Sequence, residues 1–329
     1  MKVLITGGAG YIGSHMALSL LDEGNEVVIL DNLSTGFKNI VPKKSMFIEG
    51  DVGNLELIDK ILHKYKFDAV THFSGSVKVN ESISDPFKYY ENNTVKTLNF
   101  INLLSKSNTK KIIFSSTASV YDPFNKGMSS ESAPLNPINP YGASKLMCER
   151  IIKDISKSSD LKFFILRYFN VAGADPFQRS GQLINDATHL IKLCVECAIY
   201  KRQFLEIYGN DYDTPDGTCV RDFIHVTDLI SGHILAIQHL VNGGNSDICN
   251  LGYGKGYSVL EIIKKVKSIS GIDFPVIASN RREGDAPFSV SNPTKMKSLY
   301  NWNPIHNIDD IILSMLNWEK KVTKYPLNE

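Results

Sequence analysis

The chain opens on a short apolar run, Val3-Leu4-Ile5, that meets three glycines at three-residue spacing, Gly7, Gly10 and Gly13, and then becomes the helix-spaced pattern Ile12, Met16, Leu20. That change of period predicts a buried strand, a tight turn and an amphipathic helix. The unit then repeats. After Gly24-Asn25 stops the helix, residues 27–30 read as a second buried strand, 46–51 as a third and 69–73 as a fourth, with a helix at about 54–64 before the fourth. A long helix over about 86–107 precedes a fifth strand at 112–115, and residues 161–167 close the sheet. Strands alternating with helices at this spacing predict an α/β fold with a doubly wound parallel sheet and right-handed crossovers.

Beyond that sheet the pattern changes character over 175–215, with a turn marked by Thr214-Pro215-Asp216-Gly217. Residues of about 219–245 are expected to return to the first domain. Leu260, Ile263, Val266 and Ile269 recur every three residues and predict a helix of a smaller lobe. The expected division is a first domain over 1–168, completed by about 219–245, and a smaller, discontinuous C-terminal domain within 169–329. Lys320, Lys321 and Lys324 read as a solvated tail.

Composition narrows the classes. The 329 residues carry 36 Lys+Arg against 35 Asp+Glu, so there is no basic footprint for a nucleic-acid partner. No apolar run reaches the roughly 20 residues that span a bilayer, and residues 1–14 read as strand and turn rather than a signal peptide, so a cytoplasmic protein without a membrane partner is expected. Five scattered cysteines fit a reducing compartment. Cys194-x-x-Cys197 admits a metal or redox reading, but Leu190, Ile191, Val195 and Ala198 share its helical spacing, which favours buried small side chains; no metal site is expected.

The candidate chemistry lies at the strand ends. The glycines let backbone N–H groups approach a pyrophosphate at the positive end of the following helix. The second strand delivers Asp31 about 20 residues past them, where a carboxylate accepts hydrogen bonds from both ribose hydroxyls and repels a 2′-phosphate, which predicts NAD rather than NADP and a Rossmann-type domain. Asp51, ending the third strand, is placed either against the adenine or as a helix N-cap before Leu55. Small residues Ser74-Gly75-Ser76 follow the fourth strand, and hydroxyls at Ser115, Ser116, Thr117 and Ser119 follow the fifth, either for catalysis or merely to bond backbone. Asn139-Pro140 is a good helix start, so Tyr141 and Lys145 fall four apart on one face. An ammonium beside a phenol, reinforced by the positive nicotinamide ring, is expected to lower the tyrosine pKa from about 10 and make Tyr141 a general base.

With these residues the sequence resembles the extended short-chain dehydrogenase/reductases and, within them, the UDP-glucose (UDP-galactose) 4-epimerases. The resemblance runs nearly end to end. It rests on the stretches 6–15, Asp31-Asn32-Leu33, Tyr89-Tyr90-Glu91-Asn92-Asn93, 115–121 and 141–145, and more specifically on 167–174, 208–212, 217–226 and Arg281-Arg282-Glu283-Gly284-Asp285. It implies a tightly held NAD, a UDP-sugar substrate, a homodimer through the helices around 86–107 and 141–157, and inversion at C4 through a transient 4-keto sugar. By position, Thr117 and Tyr141 would meet the 4-hydroxyl, with Lys145 holding the nicotinamide ribose. The cofactor would be lined by Gly7, Gly10, Tyr11, Ile12, Gly13, Asp31, Asn32, Asp51, Val52, Phe73, Ser74, Gly75, Asn93, Ser115 and Tyr168, together with Tyr141 and Lys145. The substrate would meet Asn170, His189, Leu190, Arg221, Arg282, Asp285 and Ser289. Paired guanidinium groups suit a pyrophosphate because they bind its oxygens bidentately. The alternative for Arg221 is an ion pair with Asp222.

Two departures stand out. Many relatives place a lysine where this chain has Val77 followed by Lys78, so that contact is not assigned. At the position that gates the hexose pocket in the family that this chain resembles stands Ser289, which leaves room for a 2-acetamido group unless another side chain fills the gap. UDP-hexosamines are therefore expected substrates alongside UDP-glucose and UDP-galactose. A UDP-pentose or UDP-uronate 4-epimerase would use the same chemistry. A dehydratase would need an acid and base where Ala118-Ser119 follow Thr117, and a non-catalytic NAD sensor has no use for Tyr141 and Lys145.

Overall fold

A computed structural model describes residues 1–123, 127–184, 187–282 and 284–325. Strands β1 (Lys2–Thr6), β2 (Glu26–Asp31), β3 (Met46–Glu49), β4 (Ala69–His72), β5 (Lys111–Thr117) and β6 (Lys162–Tyr168) form the expected parallel sheet. The smaller part holds β7 (Asn170–Ala172), β8 (Leu205–Tyr208) and β9 (Val220–His225), then β11 (Gly256–Ser258), β12 (Val276–Ser279) and β13 (Phe288–Ser289). Between them β10 (Asp247–Leu251) joins the large sheet parallel to β6, giving the seven-stranded order β10-β6-β5-β4-β1-β2-β3. The sheet therefore does not close at 161–167 as expected. Aspartate and asparagine in Asp247-Ile248-Cys249-Asn250-Leu251 dilute the apolar signal, and an edge strand tolerates them.

Helices α1 (Tyr11–Asp22), α2 (Leu55–Lys64), α3 (Val79–Ser84), α4 (Pro86–Tyr89), α5 (Lys96–Lys106) and α6 (Pro140–Lys157) belong to the first half of the chain. The second half carries α7 (Leu190–Ala198), α8 (Val226–Val241), α9 (Val259–Ser270), α10 (Thr294–Tyr300) and α11 (Ile308–Lys324). Lys320, Lys321 and Lys324 thus end a helix rather than a free tail, and Lys321 Nζ donates to Gln178 O at 2.6 Å. The long helix expected over 86–107 is interrupted by a π-helical stretch, Tyr90–Val95, which widens the turn around Asn93.

The sheet is covered on both faces. Met16, Leu20, Ile230, Ile234 and Ile237 of α1 and α8 pack with Val3 and Ile5 on one side. Ile58, Phe100, Leu104 and Ile152 of α2, α5 and α6 pack with Leu4 and Phe114 on the other. In the smaller part, β9 is the hub: β11 pairs with it antiparallel, β7 and β13 parallel. Val220–His225 thus lies in this second sheet, and the return to the large layer spans 226–251, later than the expected 219–245. Cys194 and Cys197 sit in α7 within an apolar cluster with Ile191, Ile263 and Met315, where burial pushes both thiols up, so the packing role holds.

Asp228, one turn into α8, joins the two parts. Its carboxylate accepts from Tyr253 Oη at 2.5 Å, from the amides of Ile305 and His306 at 3.1 and 3.0 Å, and pairs with His306 Nδ1 at 3.1 Å. Burial alone would raise its pKa, but the bonds from His306 and Tyr253 outweigh burial and hold it below the usual carboxylate value. Asp228→Ala is expected to lower the unfolding free energy by about 2–4 kcal/mol at neutral pH. A depressed folded pKa contributes stability that is present above the unfolded value of about 4 and lost as pH falls through the folded one. Urea titrations should therefore show the gap between wild type and variant closing in acid.

Candidate active site

The crevice runs along the carboxyl ends of the parallel strands, where the order switches beside β1: the connections after β1 and β4 leave in opposite directions there. The glycine turn after β1 is built at contact distance. Gly7 has φ 73°, and a Cβ on it would lie 2.7 Å from Ser74 N. One on Gly13 would lie 2.2 Å from Gly7 O and 2.7 Å from Gly8 Cα, both backbone atoms that cannot swing aside. Gly10 caps α1 with no side-chain bond, which leaves the amide end of the helix open to an anion. Asp31, buried at the end of β2, accepts from Ala9 N at 2.9 Å and Leu33 N at 2.8 Å, and burial raises its pKa, so further hydroxyl donors suit it. This cradle fits a dinucleotide.

Around it, Tyr11 Oη donates to Gly173 O at 2.6 Å, Ile12 is half-buried beside the sheet, and the Phe73 and Tyr168 rings lean on His233 at 5.1 and 5.8 Å. Asn93 braces the turn after β4, accepting from Ser76 N at 2.7 Å and donating to Ser76 O at 3.0 Å and to Ser144 Oγ at 3.1 Å. Asp51 does not cap a helix; Asn54 caps α2 by accepting from Leu57 N. The Asp51 carboxylate instead accepts from Gly53 N, Asn32 Nδ2 and Lys96 Nζ at 2.7, 2.6 and 2.9 Å, tying three elements together at that end of the crevice. Val52 beside it is buried in the core.

At the end of β5, Asn139 caps α6 by accepting from Gly142 N at 2.8 Å, and Pro140 takes the first turn. Tyr141 and Lys145 follow on one face, as the spacing predicts. Lys145 is buried, its Nζ donating to Ser115 O at 2.9 Å and lying 5.0 Å from the centre of the Phe114 ring. Burial lowers its pKa. Tyr141 is half-buried, its ring edge-on to Tyr89 at 6.3 Å. The expectation of a depressed Tyr141 pKa does not hold for the chain alone: burial pushes the phenol up, and the opposing influence is a hydrogen bond from Thr117. Thr117 Oγ1 also accepts from Ser119 N at 3.1 Å.

Across the crevice, the small sheet brings Arg221, Asp285 and Ser289 together. Arg221 Nη2 lies 3.6 Å from Asp285 Oδ1, and Ser289 pairs with Arg221 in the β13–β9 register. The alternative ion pair of Arg221 with Asp222 is excluded. Asp222 points away, buried, accepting from Tyr253 N, Gly254 N, Ser291 N and Ser291 Oγ at 3.0, 2.9, 3.1 and 2.5 Å. Asn170 Nδ2 donates to Asp222 O at 3.2 Å, which holds it beside the same strand. His189 caps the start of α7 next to Leu190, and its Nδ1 lies 2.7 Å from Gln182 Nε2.

Sequence reasoning assigned no role to Tyr208. Its ring lies under the Arg282 guanidinium, 3.5 Å from ring centre to Cζ, in an open cavity of about 690 Å³ that Asn210, Ser279 and Arg281 also line. The signal was present in the stretch Tyr208-Gly209-Asn210-Asp211-Tyr212, but only the pairing of β8 with β12 places that ring below residue 282. Arg281 is held apart, bonded to Asp211 Oδ1 at 2.7 Å.

A glycine turn on a doubly wound sheet, an acidic β2 end and a Tyr-Lys helix at the β5 end define a dinucleotide-dependent α/β enzyme. A model described as the NAD dependent epimerase/dehydratase family matches residues 3–252, and the chain belongs to that family. It is 45% identical to a UDP-glucose 4-epimerase of Azospirillum brasilense over 98% of this chain and 92% of the relative. Among solved structures it resembles the UDP-glucose 4-epimerase of Bifidobacterium longum in complex with NAD+ and UDP, at 36% identity and a TM-score of 0.93 over 99% of each chain. It also resembles the UDP-Glc/GlcNAc 4-epimerase of Campylobacter jejuni, at 44% identity and a TM-score of 0.84 over 97% of this chain and 99% of the other. Gly13→Val is expected to open the glycine turn, and the variant should purify with little NAD, as read by cofactor release on denaturation against wild type.

Proposed function

We propose that this chain inverts C4 of UDP-hexoses, interconverting UDP-glucose and UDP-galactose, and that it also accepts UDP-N-acetylhexosamines. The observation that carries the reading is the meeting of Tyr141, Thr117 and Lys145 at one strand edge, with Arg221 and the Arg282–Tyr208 pair across the crevice. The NAD cradle comprises the glycine turn, Asp31, Asn32, Asp51 and Val52 at the adenosine end and Phe73, Ser74, Gly75, Asn93, Ser115 and Tyr168 toward the reacting ring. Residues 1–168 with 226–251 form the cofactor domain in this reading, and the remainder binds the UDP-sugar.

When bound, oxidised NAD would supply an acceptor that takes the C4 hydride and later gives it back, and a positive charge that stabilises a phenolate. Tyr141 Oη takes the proton of the sugar 4-hydroxyl, and Thr117 Oγ1 bonds to the same site and keeps the phenol directed at it. Lys145, desolvated and bonded to Ser115 O, would hold the nicotinamide ribose, and its ammonium favours the ionised phenol. Arg221 and Arg282 hold the diphosphate, Tyr208 offers its face to the base once Arg282 turns to the phosphates, and Asn170, His189, Leu190 and Asp285 line the nucleotide. Firm purchase on UDP with a loosely held sugar is what inversion requires, because the 4-keto sugar must turn over while its anchor stays in place. Tyr141 then returns its proton to the 4-oxygen, and the configuration inverts because C4 regains its hydrogen on the opposite face.

Ser289 is half-buried and small. That small side chain, together with the Campylobacter jejuni relative named for both substrates, supports the wider range. Exposed Val95, Leu98 and Met147 on the helical stretches around 90–106 and 140–157 support a homodimer through those helices. No helix among the described residues is long and apolar enough to cross a membrane, and a cytoplasmic location is part of this reading.

Tyr141→Phe should reduce interconversion of UDP-glucose and UDP-galactose by at least about 100-fold while NAD remains bound; undiminished turnover overturns the proposal. Ser289→Tyr should abolish turnover of UDP-N-acetylglucosamine and spare UDP-galactose, and equal hexosamine rates in both proteins would defeat the assignment of Ser289.

A further inference from the structure

The strand that carries Ser289 is only two residues long and pairs with β9 on one side. The two-residue ladder is extended on that side by Asp222, which accepts from Ser291 N and Oγ at 3.1 and 2.5 Å. The strand's continuation is held on the far side by Ser129, whose N–H donates to Val290 O at 2.8 Å and whose carbonyl accepts from Asn292 N at 2.8 Å. From that carbonyl a polar chain runs inward. Asn250 Nδ2 donates to it at 2.8 Å, and Tyr121 Oη donates to Asn250 Oδ1 at 2.6 Å. Arg167 Nη1 donates to Tyr121 Oη at 3.1 Å, and the same guanidinium binds both oxygens of Glu149 at 2.9 and 2.6 Å. Glu149 also accepts from Ser116 Oγ at 2.6 Å.

The inner end of this chain is the catalytic machinery. Glu149 lies one turn beyond Lys145 and two beyond Tyr141 on α6, and Ser116 immediately precedes Thr117. Glu149, Arg167 and Asn250 are all at most 1% exposed, so no water competes for their bonds. Apolar side chains would fill the same space in several arrangements, whereas a fully bonded buried network tolerates one. The proton transfer described above uses none of Glu149, Arg167, Tyr121 or Asn250.

We propose that Tyr121 and Asn250 are positioning residues for sugar discrimination: the buried relay from Glu149 to Ser129 sets the strand bearing Ser289 at a defined distance from the helix bearing Tyr141. Its catalytic consequence rests on the epimerase reading; the relay itself does not. Tyr121→Phe keeps the ring stacked on Phe169 and under Arg167 but removes the hydroxyl. Asn250→Asp keeps the acceptor for Tyr121 and removes the donor to Ser129. Ile152→Val, in the core of the same helix and outside the relay, controls for loss of stability alone.

Amide hydrogen exchange and kinetics together decide the matter. In Tyr121→Phe and Asn250→Asp the Asn292 amide should exchange at least about tenfold faster, with no such change in Ile152→Val. In the Tyr121→Phe/Ser289→Tyr double variant, kcat/KM for UDP-galactose should depart at least about threefold from the product of the two single effects, with the Kd for UDP held within about twofold. Unchanged exchange at Asn292, or effects that simply multiply, overturns the proposal. A wild type that turns over no UDP-sugar would sink the epimerase reading, and the exchange measurement would still decide the relay.

Discussion

A buried ammonium is the constraint around which the catalytic half is arranged. Among the described residues no carboxylate lies against Lys145; what it has is the Ser115 carbonyl at 2.9 Å and the face of Phe114. A cation in that setting is tolerated only if its few acceptors are held in place, since an unpaired buried charge is among the costliest features a fold can contain. The bond therefore commits α6 to one height along β5. Tyr141, one turn earlier, is set against Thr117 by the same commitment, and Glu149, one turn later, locks it from the other end through Ser116 and Arg167.

The opposite wall is governed by a buried carboxylate. Asp222 satisfies itself with the amides of Tyr253, Gly254 and Ser291, and in doing so pulls two segments, at 253–254 and at 291, onto β9. Because successive residues of a strand face opposite sides, turning Asp222 inward turns Arg221 out toward the crevice. One residue is spent on structure so that its neighbour faces the crevice. Asp228 does the corresponding work at the base of α8, where it gathers the segment around His306.

Much of the cofactor half was legible because it depends on local pattern. Period, glycine spacing and the residues at strand ends are properties of short stretches, so β1 to β6, the Asn139 cap and the Tyr141–Lys145 face could be read directly. What escaped reading was non-local. The edge strand β10 is recognisable only once β6 offers it a partner, and the π-helical turn at Tyr90–Val95 leaves no period to detect. Asp51 admitted a cap as the alternative to an adenine contact because caps are local; Asn32 and Lys96, which bond it, come from elsewhere in the chain. Tyr208 gained meaning only beneath Arg282, which is 74 positions away in the sequence.

By itself, then, the sequence determined the layered α/β plan and the nucleotide turn and singled out Tyr141, Lys145 and Thr117 as candidates for the chemistry, since those follow from the period and chemistry of neighbouring residues. The tertiary structure decided how far apart those side chains stand and in what dielectric. Burial raises the Tyr141 phenol in the chain alone, where a lysine and a bound nicotinamide ring are expected to lower it, and pairing with β9 together with the bonds of Asp222 and Ser129 to residues 290–292 sets where Ser289 lies. The physical reason is that desolvation and long-range hydrogen bonding sum over residues that the chain brings together only when it closes on itself.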